Sequence, residues 1–166
     1  KLVLALLILL AVSPAMAVNN YTSLWKQVTD AENKDLPETE MTVLKKIIAQ
    51  ARAERKYGQL LSAELKNMNV LASVSPDSLA SAVGALVRME QKAEKTDKVL
   101  AAVYQSVLGK VYKDKAGLGD DHLKVSRDYF AKSISNPAML AVHKDVEYVP
   151  LVQIGSDSRI FDNDLL

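Results

Sequence analysis

Apolar residues recur along this chain at helical spacing from Asn19 to about Asn136. Tyr21, Leu24, Trp25, Val28 and Ala31 form the stripe of an amphipathic helix that Asn19 or Asn20 can cap. Asn33-Lys34-Asp35-Leu36-Pro37 breaks it, and Pro37 suits the first turn of a second helix. Met41, Leu44, Ile47, Ile48 and Ala51 are that helix's stripe, which ends near Lys56. Tyr57, Leu60, Leu61, Leu65 and Met68 make a third. Ser75-Pro76-Asp77-Ser78 reads as the start of a fourth: Ser75 can cap, Pro76 takes the first helical position, and Asp77 complements the positive helix end. Leu79, Val83, Leu86, Val87 and Glu90 follow, the apolar members on one face. Thr96-Asp97 is the next cap. Val99, Leu100, Val103, Tyr104, Val107, Leu108, Val111 and Tyr112 then give a fifth helix whose apolar face is wide enough to meet neighbours on two sides.

Lys115 to Asp120 is a predicted loop, followed by a sixth helix over Asp121–Ile134 with Leu123, Tyr129 and Phe130 on its buried face. Asn136-Pro137 marks a turn and a short helix to about His143. Beyond it the period changes. Glu147-Tyr148-Val149-Pro150-Leu151-Val152 reads as extended, because Pro150 breaks helix and Tyr and Val favour strand. Ile154–Leu166 predicts a turn and a further helix starting near Asp162.

The expected fold class is all-α: antiparallel helix hairpins, arranged as a compact bundle or as an irregular TPR-like helical array, with a short extended segment near the C-terminus. One fragment favours the array. Leu108-Gly109-Lys110-Val111-Tyr112 matches the Leu-Gly-x-x-Tyr core of a tetratricopeptide repeat, in which Gly lets the partner helix approach and Tyr fills the groove beside it. Tyr129 to Pro137 has the aromatic-to-Pro spacing of that repeat's second helix. Gln105 stands where the motif has Trp, however, and the connecting loop is too long. Pair starts near 20, 57 and 96 are 37 and 39 apart rather than about 34.

The beginning of the chain changes the setting in which these helices work. Leu2–Val12 is a run of eleven apolar residues that ends at Ala15-Met16-Ala17. That is the hydrophobic region and small-residue cleavage site of a secretory signal peptide, with Lys1 as the remnant of its charged start. The run is shorter than the roughly 20 residues a membrane span needs. With no initiator Met the chain reads as truncated at its beginning, and cleavage is expected before Val18. No Cys follows the run, which excludes a lipid-modified N-terminal Cys. The expected division is a signal peptide over 1–17, a helical-hairpin domain over 18–145, and an extended linker with the start of a further element over 146–166. Export places the domain in the periplasm or at the cell surface.

Charge and composition then narrow the function. Lys1 is one of 21 basic residues, so cleavage leaves 20 against 20 acidic ones. A neutral mature segment argues against nucleic-acid binding and against a polybasic membrane patch. The absence of Cys removes thiol catalysis, Cys-zinc sites and disulfides, and leaves packing to hold an exported fold.

Candidate chemistry is sparse. His122 follows Asp120-Asp121 at a helix start, and a metal there would need three or four converging ligands. His143 suits a helix end, where it favours the last carbonyls. Ser156 and Ser158 flank Asp157 without a Gly-x-Ser-x-Gly elbow. Asp157, Asp162 and Asp164 lack the Gly and Glu that a calcium loop requires. Gly117-Leu118-Gly119 lacks the preceding strand of a nucleotide loop. Asn20-Tyr21-Thr22 is a formal glycosylation sequon, expected to be silent in a bacterium. Trp25, Tyr104 and Tyr112 read as core, and the mixed runs Arg52–Lys56 and Glu90–Lys98 as solvated faces. The expectation is no enzyme, with no catalytic, cofactor-binding or metal residue, and no cofactor.

Several stretches carry a resemblance. Tyr21-Thr22-Ser23-Leu24-Trp25-Lys26-Gln27-Val28, Lys34-Asp35-Leu36-Pro37-Glu38-Thr39 and Tyr57-Gly58-Gln59-Leu60-Leu61-Ser62-Ala63-Glu64-Leu65 resemble the opening of the very large alpha-2-macroglobulin-like proteins of Bacteroidetes. So do Tyr148-Val149-Pro150-Leu151-Val152 and the run from Gly155 to Leu166. The resemblance implies an exported N-terminal helical region preceding a series of macroglobulin β-sandwich domains in a broad-range proteinase inhibitor. Family members entrap proteinases after cleavage at a bait segment, and some couple through a Cys-Gln thioester. Both elements would lie outside this chain, so no family functional residue maps onto a position here. The partners implied are the downstream macroglobulin-like domains of the same chain, then proteinases or other proteins, with no nucleic acid and no stable membrane span after signal cleavage. Two other readings stay open: a free-standing exported helical-repeat adaptor for a peptide or protein, and a small periplasmic hydrolase, which lacks a recognisable nucleophile and base.

Overall fold

A computed structural model describes residues 15–151 and Leu165. Among them are seven α-helices and no strand: α1 (Ala15–Glu32), α2 (Pro37–Glu54), α3 (Tyr57–Val74), α4 (Leu79–Thr96), α5 (Lys98–Asp114), α6 (His122–Ser133) and α7 (Pro137–Leu140). The chain is all-α, as its periodicity predicts. Tyr21, early in α1, donates its hydroxyl hydrogen to Glu54 at the end of α2, 2.8 Å away, so these two helices run antiparallel. Trp25 Nε1 donates to Gln59 at 2.6 Å and Lys66 Nζ donates to Glu32 at 2.8 Å, and both pairs are 34 positions apart. Equal offsets at two levels mean that α1 and α3 run parallel, side by side, with α2 folded back between them.

Packing follows chain order, each of the first six helices resting on the next. Two apolar cores result. Tyr21, Leu24, Val28, Val43, Leu44, Ile47, Leu60 and Ala63 fill the first, between α1, α2 and α3. Leu61, Met68, Val83, Leu86, Leu100, Tyr104, Leu108 and Val111 fill the second, between α3, α4 and α5. Leu44, Ile47, Leu61 and Leu108 have no exposed surface. Burying each such side chain contributes about 1.5–3 kcal/mol against leaving it in water.

The first two connections use the same turn. After α1, Asp35 N–H donates to Glu32 O and Leu36 N–H to Ala31 O. After α2, Arg55 N–H donates to Arg52 O and Lys56 N–H to Ala51 O. Each pair closes a Schellman motif, with Asp35 (φ 52°) and Arg55 (φ 56°) in the left-handed region that normally selects Gly. Asp97 caps α5 as expected, accepting from Leu100 N–H at 3.0 Å. Asn136 does the same for α7 through Met139 N–H.

Several boundaries differ from the sequence reading. Within the described residues α1 is already helical at Ala15, upstream of the expected Asn19 or Asn20 cap and across the expected cleavage point. Helix α3 continues past Met68 to Val74. Ser75 makes no side-chain cap. A 3₁₀ turn over Pro76–Ser78 intervenes, and α4 starts at Leu79. The Ser78 hydroxyl holds that turn onto the end of α3 by donating to Ser75 O at 2.6 Å and to Leu71 O at 3.3 Å. The short helix after Asn136 ends at Leu140 rather than His143.

The stretch expected to be extended over Glu147–Val152 begins as a 3₁₀ turn, Asp145–Tyr148, and only Val149 has extended dihedrals before Pro150. Two forces override the β-propensity of Tyr148 and Val149. Glu147 reaches back to accept from Lys144 N–H at 2.9 Å, and the Tyr148 side chain is buried in the second core. This turn packs on the first residues of α3, where a Cβ on Gly58 would overlap the Tyr148 and Val149 backbone. Val152 and the helix expected near Asp162 lie outside the described residues, as do residues 1–14 of the expected signal peptide.

The buried face of α6 is the expected one only in part: Tyr129 packs on the second core and Phe130 lies against Gly109, but Leu123 faces outward. Leu123 is 54% exposed. The side that meets α5 carries Ser126 and Ser133, both buried, because α5 offers a glycine there. Ser126 Oγ donates to Gly109 O at 2.7 Å, and a Cβ on Gly109 would stand 2.8–2.9 Å from three ring atoms of Phe130. Tyr112 stacks on Tyr129 beside it, centroids 5.8 Å apart. Gly109 thus lies where α6 comes close to α5, and Tyr112 packs against α6 one turn further on.

Two glycine substitutions separate contact from helix propensity. At Gly84 the nearest atom to an added Cβ is Arg88 Nη1 at 3.5 Å, an ordinary contact with the end of a flexible side chain. Gly84→Ala is expected to stabilise by about 0.5–1 kcal/mol. Gly109→Ala is expected to destabilise by up to about 2 kcal/mol, because overpacking of roughly 1–3 kcal/mol exceeds a propensity gain of about 1. Urea melts of the two variants check the opposite signs.

Candidate interaction site

Helix α3 carries two paired charged groups on nearly opposite sides, Glu64 largely buried and Lys66 partly exposed. Lys66 meets Glu32 of α1 at 2.8 Å and Glu40 of α2 at 3.3 Å. Burial pulls its ammonium pKa down, but the hydrogen bonds to Glu32 and Glu40 outweigh burial and hold it above the usual lysine value. Glu64 lies between Arg52 of α2, 2.9 Å from Oε1, and Tyr104 of α5, which donates to Oε2 at 3.1 Å. Burial pushes the Glu64 carboxyl above the usual range, and the bonds from Tyr104 and Arg52 offset this only in part. Burial and the neighbouring Glu64 in turn raise the Tyr104 hydroxyl.

A third polar cluster joins α4 to α5. Gln105, almost fully buried, donates from Nε2 to Glu90 at 2.7 Å and to Glu94 at 2.6 Å. Glu94 is held below the usual carboxylate range, first by Lys98 and then by Gln105. An amide spanning two carboxylates fixes the α4–α5 register through polar bonds.

A cavity of about 610 Å³ opens between α3 and α5 and is closed at one end by α7 and the C-terminal residues. Leu65 and Met68 form one wall, Val103 and Val107 the other, and Leu140 the end. Leu151 and Leu165 also line it, and Leu165 N–H donates to His143 O at 3.1 Å. Lys110, Asp114 and Lys115 stand along the cavity, with Lys110 and Asp114 paired at 2.7 Å. The walls offer apolar surface with a charged edge.

The residues singled out in the sequence do not converge. His122 Nδ1 lies 2.8 Å from Gly119 O on an exposed loop. His143 is 3.4 Å from Glu147 near the end of α7. Trp25 and Tyr104 sit in separate cores, and Tyr112 is spent on Tyr129. Gly117-Leu118-Gly119 is a 3₁₀ turn followed by a left-handed Gly119. Asn20-Tyr21-Thr22 lies inside α1. Ser156, Asp157, Ser158, Asp162 and Asp164 lie outside the described residues. Among the described residues no three His, Asp or Glu side chains are grouped to hold a metal, and no helix is long and apolar enough to cross a membrane.

Glu64 and its partners were missed in the sequence, although a signal existed. Glu64 stands three and four residues after Leu61 and Leu60 and four before Met68, so it falls on the apolar stripe of its own helix. A carboxylate in that position must find partners. No protein-family model, curated protein or solved structure matches the chain.

The raised Glu64 pKa has a testable sign. The folded chain holds this proton more tightly than the unfolded one, so the group's contribution to stability is complete below the unfolded glutamate pKa and is lost as pH rises through the folded value. Glu64→Gln cannot ionise, so its stability relative to the parent is expected to rise between about pH 4 and pH 7. Glu64→Ala, which strands the buried Tyr104 hydroxyl, is expected to cost about 1–3 kcal/mol. Urea melts across that range check both, and a pH-independent Gln difference would contradict the assignment.

Proposed function

We propose that this chain is an exported, non-catalytic helical scaffold that works by contact. On this reading it is the N-terminal helical module of an alpha-2-macroglobulin-like broad-range proteinase inhibitor. Its task is to hold and orient the segment that leads on to the inhibitor's β-sandwich domains. The observation that carries the proposal is the seating of Leu151 and Leu165 in the α3–α5 cavity, with the Leu165 amide bonded to His143 O. A helical array that grips its own outgoing chain is suited to fixing where the next domain begins. The phrases resembling the family run up to the same leucines, which supports joining the two observations. The signal-like Leu2–Ala17 supports export.

A second reading, a free-standing exported helical-repeat adaptor, draws support from one feature. The 34-position offset that aligns α1 with α3 equals the tetratricopeptide period.

Two measurements test the proposal. The gene downstream of Leu166 is expected to encode β-sandwich domains, and an immediate stop codon would defeat the inhibitor assignment. Leu165→Asp is expected to speed tryptic cleavage after Arg159 by several-fold, since placing one carboxylate in an apolar seat costs on the order of 1–3 kcal/mol locally. Unchanged cleavage would mean that the leucine does not anchor the outgoing chain.

A further inference from the structure

A second groove, of about 370 Å³, runs between α2, α3 and α4, separated from the larger cavity by the buried Met68 that borders both. Its apolar surface comes from Ile48, Leu71 and Met89 together with Met68. Two guanidinium groups line it, Arg52 from α2 and Arg88 from α4. Glu64 is the sole carboxylate among the lining residues, and both of its oxygens are already taken, one by Arg52 and one by Tyr104. The groove therefore carries an excess of positive charge. Arg88 is exposed and forms no ion pair among the described residues. Asn67, also in the lining, has a buried Oδ1 with no hydrogen-bond partner. A buried acceptor left unpaired costs about 1–3 kcal/mol, which a ligand bringing a donor recovers.

These features describe a complementary ligand. It has a carboxylate for the guanidinium groups, an N–H for Asn67, and apolar side chains for the methionine and leucine surface. Inorganic phosphate supplies the charge but neither the N–H nor the apolar body. A peptide supplies all three. We propose that the α2–α3–α4 groove binds an extended peptide segment in which an acidic residue is flanked by apolar ones, with Arg88 receiving the carboxylate and Asn67 the backbone amide. The proposal rests on the reading of this chain as a contact scaffold and adds to it a second face with a defined partner chemistry.

The test uses the full chain, isotopically labelled, and two probes: acetyl-Leu-Glu-Leu-Leu-amide and its isostere with Gln in place of Glu. Amide shifts on titration locate the site, and their saturation gives Kd. The expected result is shifts concentrated on Arg52, Asn67, Leu71 and Arg88, with the Gln peptide about tenfold weaker, the scale of one charge-assisted hydrogen bond. Arg88→Gln, on an exposed position where the fold is unaffected, is expected to weaken the Glu peptide by about the same factor and leave the Gln peptide unchanged. Equal binding of both peptides, displacement of the Glu peptide by equimolar inorganic phosphate, or no groove shifts at millimolar peptide would each overturn the proposal. Loss of groove binding would leave the Leu165 anchoring result standing, and failure of that anchoring would leave the groove shifts intact, so the two failures are distinguishable.

Discussion

Helix α3 has to be buried on two sides at once, and the rest of the molecule is arranged around that requirement. Leu60 and Ala63 face the first core while Leu61 and Met68 face the second. A helix in this position has little surface left for water, so its charged residues are pressed against its neighbours. Lys66 and Glu64 are two residues apart and point to different neighbours, one to α1 and α2, the other to α2 and α5. Each carries a charge whose loss of water is offset only by a partner. The neighbouring helices are thus held at the registers where Glu32, Glu40, Arg52 and Tyr104 can reach.

Such pairing contributes more to uniqueness than to net stability. Desolvating a charged pair offsets much of its attraction, and the Arg52 side chain is half exposed, which screens its part further. The apolar contacts on either side of α3 supply the drive to collapse. The polar contacts discriminate among ways of collapsing, because a slip of one turn would leave Glu64 or Gln105 without partners. The α4–α5 pair follows the same logic, with a buried amide between two carboxylates.

Much of this was legible in the sequence, and the failures have physical causes. The stripes of α1 to α5 are strongly periodic, and their existence and order followed from that. Asp97 was recognisable as a cap because its side chain precedes a clean apolar run, whereas Asn136-Pro137 read only as a turn and restart. Ser75 was not what it resembled: Pro76 and Asp77 suit a 3₁₀ turn as well as a helix start, and the choice depends on how α3 ends. The turns at Asp35 and Arg55 carry no glycine, so their left-handed geometry had no local signal. In α6, small hydroxyl residues rather than Leu123 face the core, because the opposing surface contains Gly109. That is information held by another helix. The two cavities were invisible for the same reason, since each is assembled from three or more elements whose spacing no single segment specifies.

The bareness of Gly58 bears on the order in which the molecule assembles. Everything the first core needs is present once the chain has been made as far as Val74. The backbone that rests on Gly58 comes from Tyr148 and Val149, near the far end of the chain. Early packing is therefore local and rapid, whereas this last contact closes a loop spanning most of the protein and must form late. A glycine keeps a berth open on the central helix throughout that interval, at a place where any larger residue would bar the final segment.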